Sequence, residues 1–298
     1  MRSRPDTFTR VDDDQKRADL FPRLSLDQNA QLLRWLPDAR LRAELSWNLT
    51  DTVVLDVTSI LGRFIVKAAG PANTHIGREI TAHQGATACL IDSGRAARMI
   101  QHDRAANILV TDYLEGTLVM GSGSEFDADI HHQAGALLRT FHDQAERCDD
   151  DAEARATTKA LAWLDQSHRI DPSTVAAVRR ILTTYRPRPV TVVPTHGDWS
   201  PRNWLVDHRI VKIIDFGRFD FRPALSDFCR LAARHWRTHP DLEHAFLDGY
   251  GTDPRDPELW AIFTLREAIG TAVWAYQVGD EPFENEGHRM LTDAVTLF

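Results

Sequence analysis

Lysine is nearly missing from this 298-residue chain: of 35 basic residues, only Lys16, Lys67, Lys159 and Lys212 are lysine. Where a chain otherwise chooses arginine, each lysine marks a position at which a compact ammonium is wanted. Cysteine is scarce as well. Cys89, Cys148 and Cys229 are odd in number, widely spaced and without a CxxC pair. That argues against a disulfide framework and a cysteine zinc site, and for a reducing, cytoplasmic setting. Long apolar runs are lacking: the nearest, "WAIFTLREAIGTAVWAYQV", carries Arg266 and Glu267 at its middle and reads as a buried helix. The first twenty residues hold no apolar segment, so no secretory leader and no membrane attachment are expected. An excess of positive charge is absent too. The net charge of −8 disfavours a nucleic-acid partner and permits a cationic substrate.

The chain is long for one hydrophobic core and suits two lobes. "SLDQNAQLLRWLPD" begins at a Ser/Asp cap, repeats Leu32, Leu33 and Leu36 at helical spacing and stops at Pro37. "TVVLDVTSILGRFIVKAAG" reads as two strands joined by a turn from Ser59 to Gly62. "NTHIGREITAHQGATACLI" reads as a helix capped by Asn73 or Thr74, and two more strands follow before "YLEGT". Beyond that break the pattern is mostly helical. "HHQAGALLRTFHD" sets Ala134, Leu137, Leu138 and Phe141 on one face, and Asp171-Pro172 opens another helix. The expected organisation is an N-terminal lobe over 1–112, a small mixed sheet, and a helical C-terminal lobe over 113–298.

Between two apolar strands stands "THGDWSPRNWLV", and twelve positions past its asparagine comes "IIDFGR". Asp, Asn, Gly and Pro gather in turns for conformational reasons alone. A hairpin from Trp204 to Ile214, however, would bring Asn203 and Asp215 to the same end. Phosphoryl transfer needs that set: an aspartate beside the attacking hydroxyl, and an asparagine and a second aspartate converging on Mg²⁺.

With these motifs the chain resembles the aminoglycoside phosphotransferase and choline kinase-like family, over roughly residues 45 to 278. The resemblance implies an α+β, two-lobed protein-kinase-like fold. It implies ATP or another nucleoside triphosphate and Mg²⁺, with transfer of the γ-phosphate to a small-molecule hydroxyl. Carried over, Asp198 is the catalytic base, and Asn203 and Asp215 are the metal ligands. His196 braces the loop and Asp227 anchors it. Lys67 holds the α/β-phosphates and Glu79, twelve residues on, fixes its orientation. Asp112, Tyr113 and Leu114 fall where the adenine-binding hinge belongs.

Two departures stand out. The turn "WNLTDT" has no glycine, so hydroxyls of Ser46, Thr50 and Thr52 with backbone N–H groups would have to cover the phosphates. "DFG" at Asp215 to Gly217 is the protein-kinase triplet, yet twelve steps to Asp227 leave no room for an activation loop. That spacing disfavours a protein kinase. The resemblance implies an aminoglycoside-like or other antibiotic as acceptor, with a metabolic amino alcohol or sugar as the alternative. The alternative from another class is a pseudokinase that binds nucleotide without chemistry. "GDEPFENEG", with Asp280, Glu281, Glu284 and Glu286, and the carboxylate of Phe298 point to a cationic substrate. A monomer or weak dimer is expected. His131-His132 reads as a solvated pair at a helix start, and "CDDDAE" at 148–153 as a solvated acidic helix start.

Overall fold

The computed structural model describes residues 21–298. The chain divides into two units: the segment up to Gln84 with Ala97–Leu114, and Gly85–Ala96 with Glu115–Phe298.

In the first unit, α1 (Leu26–Trp35) starts at a reciprocal cap. The Gln28 N–H donates to the Ser25 hydroxyl at 3.2 Å, and the Ser25 N–H donates to Gln28 Oε1 at 3.0 Å. Five antiparallel strands follow, in the spatial order β1 (Arg40–Glu44), β2 (Val53–Ser59), β3 (Gly62–Ala68), β5 (Ile108–Asp112) and β4 (Met99–Asp103). β1 was not legible in the sequence because it is an exposed edge strand, with Arg40, Arg42 and Glu44 breaking any apolar pattern. Strand alternation decides where Lys67 goes. Phe64, Val66 and Ala68 of β3 join Val57, Ile108 and Leu32 of α1 in one core, so Lys67 projects from the opposite face. There α2 (His75–His83) lays Ile76 and Ile80 against Leu109, the cross-strand partner of Lys67. Of the two expected caps Asn73 makes the bond: its Oδ1 accepts from the His75 N–H at 2.8 Å. The single helix expected here breaks around Gly85, and the short α3 (Ala88–Asp92) groups with the second unit.

The second unit holds two three-stranded sheets. One runs β10 (Ile210–Ile213), β9 (Trp204–Asp207), β6 (Thr117–Leu118); the other runs β11 (Asp220–Arg222), β8 (Val190–Thr195), β7 (Arg147–Asp149). Around them lie α4 (Ala128–His142), α5 (Ala152–Trp163) and α6 (Pro172–Thr184). Next come α7 (Cys229–Leu231), continued by a π-helical turn to Trp236, α8 (Pro240–Tyr250), α9 (Pro257–Val278) and α10 (Glu281–Val295). α4 and α8 touch backbone to backbone. A Cβ built on Gly135 would lie 2.1 Å from the Phe246 carbonyl oxygen, and one on Gly249 2.0 Å from that of His132. α9 is the apolar stretch singled out in the sequence. It is a buried helix capped by Asp256, whose Oδ1 accepts from the Leu259 N–H at 2.9 Å. Among the described residues no helix is long and apolar enough to cross a membrane.

Two expectations fail here. His131 is not solvated: it falls on the stripe of Ala134 and Leu138, is fully buried, and places Nε2 2.9 Å from the Glu125 carbonyl oxygen. Burial pushes its pKa down to about 4. His132, half-exposed, lies 3.3 Å from Asp248. Nor is "CDDDAE" solvated throughout. Glu153 is buried, accepting from Arg266 at 2.7 Å and from the Tyr185 hydroxyl at 3.0 Å. α5 packs against α9 and draws that carboxylate inward, where only a paired charge is tolerated.

Candidate active site

The loop leaving β8 is built around Asp227. Its carboxylate accepts from the His196 N–H at 2.8 Å and the Gly197 N–H at 2.6 Å, while His142 Nε2 lies 3.1 Å from Oδ2. Burial would raise this carboxyl; the hydrogen bond with His142 and the neighbouring donors outweigh it and hold it below the usual range. His196 bonds at both ring nitrogens. Its Nε2 is 3.0 Å from the Ile214 carbonyl oxygen, and Nδ1 accepts from the Asp198 N–H at 3.2 Å. Gly197 is obligatory here. Its φ is +79°, and a Cβ would lie 2.5 Å from the Arg218 carbonyl oxygen.

Asn203 Nδ2 donates to the Asp198 carbonyl oxygen at 2.8 Å, and the Ile214 N–H donates to the Asn203 carbonyl oxygen at 3.0 Å. β9 and β10 pair Trp204 with Ile213, so the hairpin brings Asn203 and Asp215 to one end. Asn203 Oδ1 accepts no hydrogen bond among the described residues. Asp215 is exposed and sits in the left-handed region, φ 66° and ψ 69°, a conformation that non-glycine residues keep where surroundings impose it. Phe216 beside it is buried, its ring 5.0 Å from that of His196. The donors, one carboxylate and one carboxamide oxygen, suit Mg²⁺, which takes few protein oxygens and keeps water or phosphate on the rest. Among the described residues no three His, Cys, Asp or Glu converge to make a different metal site.

Asp198 is buried, 5% exposed, and three guanidinium groups face it. Arg230 Nε lies 3.0 Å from Oδ1; Arg218 Nε and Arg202 Nε each lie 3.9 Å from Oδ2. Burial raises its pKa, but Arg230, Arg218 and Arg202 together hold the carboxyl below its ordinary value. None of the three arginines was expected, although a signal exists: they stand four places after Asp198, three after Asp215 and three after Asp227.

In the first unit Lys67 Nζ donates to both oxygens of buried Glu79, at 2.8 and 2.9 Å. Of the expected hinge residues, the N–H of Asp112 donates to the Arg98 carbonyl at 2.9 Å and that of Tyr113 to the Arg63 carbonyl at 3.0 Å. Leu114 alone of the three has an N–H without a backbone acceptor among the described residues. Tyr113 carries the Arg63 guanidinium 3.4 Å from its ring centroid, and Arg63 is fixed in turn on Asp56 at 2.7 and 3.0 Å. The glycine-free turn spends its hydroxyls locally. Ser46 accepts from the Val54 N–H at 3.0 Å, Thr50 donates to the Trp47 carbonyl at 3.4 Å, and Thr52 accepts from Asn73 at 3.2 Å.

The acidic run near the C-terminus is dispersed. Asp280 caps α10, accepting from the Phe283 N–H at 3.1 Å, and Glu281 is exposed in its first turn. Glu284 is buried on Arg169 at 3.0 Å, Glu286 holds Arg234 at 2.7 and 2.9 Å, and Phe298 is 57% exposed.

This fold is that of the protein-kinase-like small-molecule kinases. The choline kinase LicA from Streptococcus pneumoniae matches with a TM-score of 0.66 at 17% identity, over 90% of this chain and 97% of that one. The ethanolamine kinase of Plasmodium vivax gives 0.59 at 14% identity, over 87% and 82%. A spectinomycin phosphotransferase, solved with ADP and spectinomycin, gives 0.55 at 14%, over 91% and 96%. The model of the APH phosphotransferase enzyme family matches residues 42–261, and the chain belongs to that family. None of the curated protein sequences compared matches it significantly.

Proposed function

We propose that this protein transfers the γ-phosphate of ATP to a hydroxyl of a small molecule. The observation that carries the reading is the single backbone frame fixing Asp198, Asn203 and Asp215: Asn203 Nδ2 on the Asp198 carbonyl, and Ile214 N–H on the Asn203 carbonyl. Asn203 Oδ1 and the Asp215 carboxylate would hold Mg²⁺, which when bound would offset the charge of the phosphates. Lys67, oriented by both Glu79 oxygens, would hold the α- and β-phosphates. Asp198 would accept the hydrogen bond of the acceptor hydroxyl. That oxygen bonds to phosphorus as the bond to the β-phosphate oxygen breaks; ADP leaves with the electron pair and the hydroxyl proton passes to Asp198. Its lowered pKa makes Asp198 a weak base before reaction, which suits a loose transition state in which orientation counts most.

The neighbours' names span amino alcohols and antibiotics, so both classes of acceptor belong in the test. Purified protein with Mg·ATP is offered amino alcohols, sugars, hydroxy acids, aminoglycosides and macrolides, and products are weighed for one added phosphoryl group. Transfer by wild type and its loss in Asp198→Asn support the proposal. A second reading, nucleotide binding without transfer, is favoured by one feature: the turn expected over the phosphates engages its hydroxyls with Trp47, Val54 and Asn73 and carries Asp51. Nucleotide binding with no transfer to any acceptor class would select it.

A further inference from the structure

The charge around Asp198 does not fit a cationic acceptor. Arg202, Arg218 and Arg230 approach its carboxylate; Arg230 also reaches Glu267 at 3.4 Å, and Arg234 is taken by Glu286. Arg230 alone, at 3.0 Å, would neutralise Asp198. Arg218 is the costly one. Its side chain is 36% exposed, donates no hydrogen bond among the described residues, and has Asp198 at 3.9 Å as its ion partner. Partial burial and the like charge of Arg230 both act against its ionised form. Yet the backbone is shaped to keep it there, since Gly197 leaves room for the Arg218 carbonyl and Cβ, at 2.5 and 2.9 Å from where a side chain would begin. Of the acidic residues expected to recruit a cation, Glu284 and Glu286 are meanwhile paired with Arg169 and Arg234 and Asp280 is spent on a helix cap, while Glu281 stays exposed.

Resting on the phosphotransferase reading, we infer that the acceptor carries an anionic group, a carboxylate, sulfate or phosphate near its reactive hydroxyl, and that Arg218 binds it. An anion there relieves the repulsion between Arg218 and Arg230 and gives the guanidinium the charge-assisted hydrogen bonds it lacks. A cationic acceptor would add to the repulsion. This inverts the substrate charge expected from the C-terminal acidic run.

The test is thermal stabilisation of the full chain in magnesium and saturating adenylyl imidodiphosphate, which occupies the γ-phosphate position. The probes are D-glycerate and inorganic sulfate, against uncharged glycerol and cationic serinol, at constant ionic strength. Arg218→Gln and the exposed control Arg186→Gln are compared with wild type. The inference expects saturable stabilisation by glycerate and sulfate only, an apparent affinity at least tenfold weaker in Arg218→Gln, and no change in Arg186→Gln. Equal stabilisation by serinol or glycerol, no stabilisation by the anions, or unchanged affinity in Arg218→Gln overturns it. So does anion binding seen with ADP but lost with the triphosphate analogue, since Arg218 would then serve the γ-phosphate. The nucleotide arm is read separately. Failure of the analogue itself to stabilise the protein counts against the phosphotransferase reading, and the anion titration is then repeated without it.

Discussion

At Asp198 one buried carboxylate answers three arginines, and at Lys67 one ammonium answers both oxygens of one glutamate. Substituting either should therefore remove function by a different route. On the proposed mechanism Asp198→Asn takes away the oriented acceptor for the hydroxyl proton, and turnover should fall ~10²- to 10⁴-fold with nucleotide affinity kept. It also strips the charge that Arg218, Arg202 and Arg230 share, so a lower melting temperature should accompany the loss. Turnover near wild type in the purified variant would refute the assignment. Lys67→Arg keeps the charge, but a planar fork cannot replace a compact ammonium 12% exposed against Glu79. Its KM for ATP should rise at least tenfold, and unchanged ATP kinetics would show that the scarcity of lysine misled. These residues were legible because their chemistry is local along the chain: a motif, a strand end, a twelve-residue step. The arginines around Asp198 come from three segments, and only the fold shows that they meet.

Elements explain where reading by pattern stopped. Helical spacing placed Ala134, Leu137, Leu138 and Phe141 on one face of α4, of which Leu137 is only half-buried, but not His131, because a polar ring on an apolar stripe gives no sign of which neighbour will cover it. The rings of Trp204 and His235 lie 5.3 and 6.0 Å from it, and α8 packs on α4 at a distance set by Gly135 and Gly249. Gly249→Ala should force the helices apart and cost about 1–3 kcal/mol, read from the urea midpoint; an unchanged midpoint would mean that the helices do not meet there. His131 gives a pH test. With its folded pKa pushed from the ordinary 6.5 to about 4, the unfolded chain takes the proton first. Stability is complete above pH 6.5 and is lost as pH falls from 6.5 toward 4, about 2 kcal/mol by pH 5. His131→Gln keeps a donor toward the Glu125 carbonyl but cannot titrate. Between pH 7.5 and 5 it should lose about 2 kcal/mol less than wild type, and parallel losses would place the histidine's titration elsewhere.

At the scale of the whole molecule, the kinase-like fold was legible from the order of its parts, while charge balance was not. The acidic run that opens α10 reads as a cation trap in the sequence because the partners of Glu284 and Glu286, Arg169 and Arg234, lie 115 and 52 residues away in the chain. The edge strand β1 and the break between α2 and α3 were missed for the converse reason: exposed, charged or glycine-bearing segments carry little pattern of their own. On the proposed mechanism Asn203 and Asp215 serve a metal that brings nucleotide to Asp198. The most direct measurement is calorimetric titration of ADP with and without Mg²⁺, on wild type, Asp215→Ala and Asn203→Ala. Wild type should bind ADP at least tenfold more tightly with Mg²⁺. Asp215→Ala should abolish that gain and Asn203→Ala only reduce it, because a carboxylate brings a full charge to the metal and a carboxamide only a dipole. ADP binding indifferent to Mg²⁺ in wild type, or an Mg²⁺ gain kept in full by Asp215→Ala, would contradict the account.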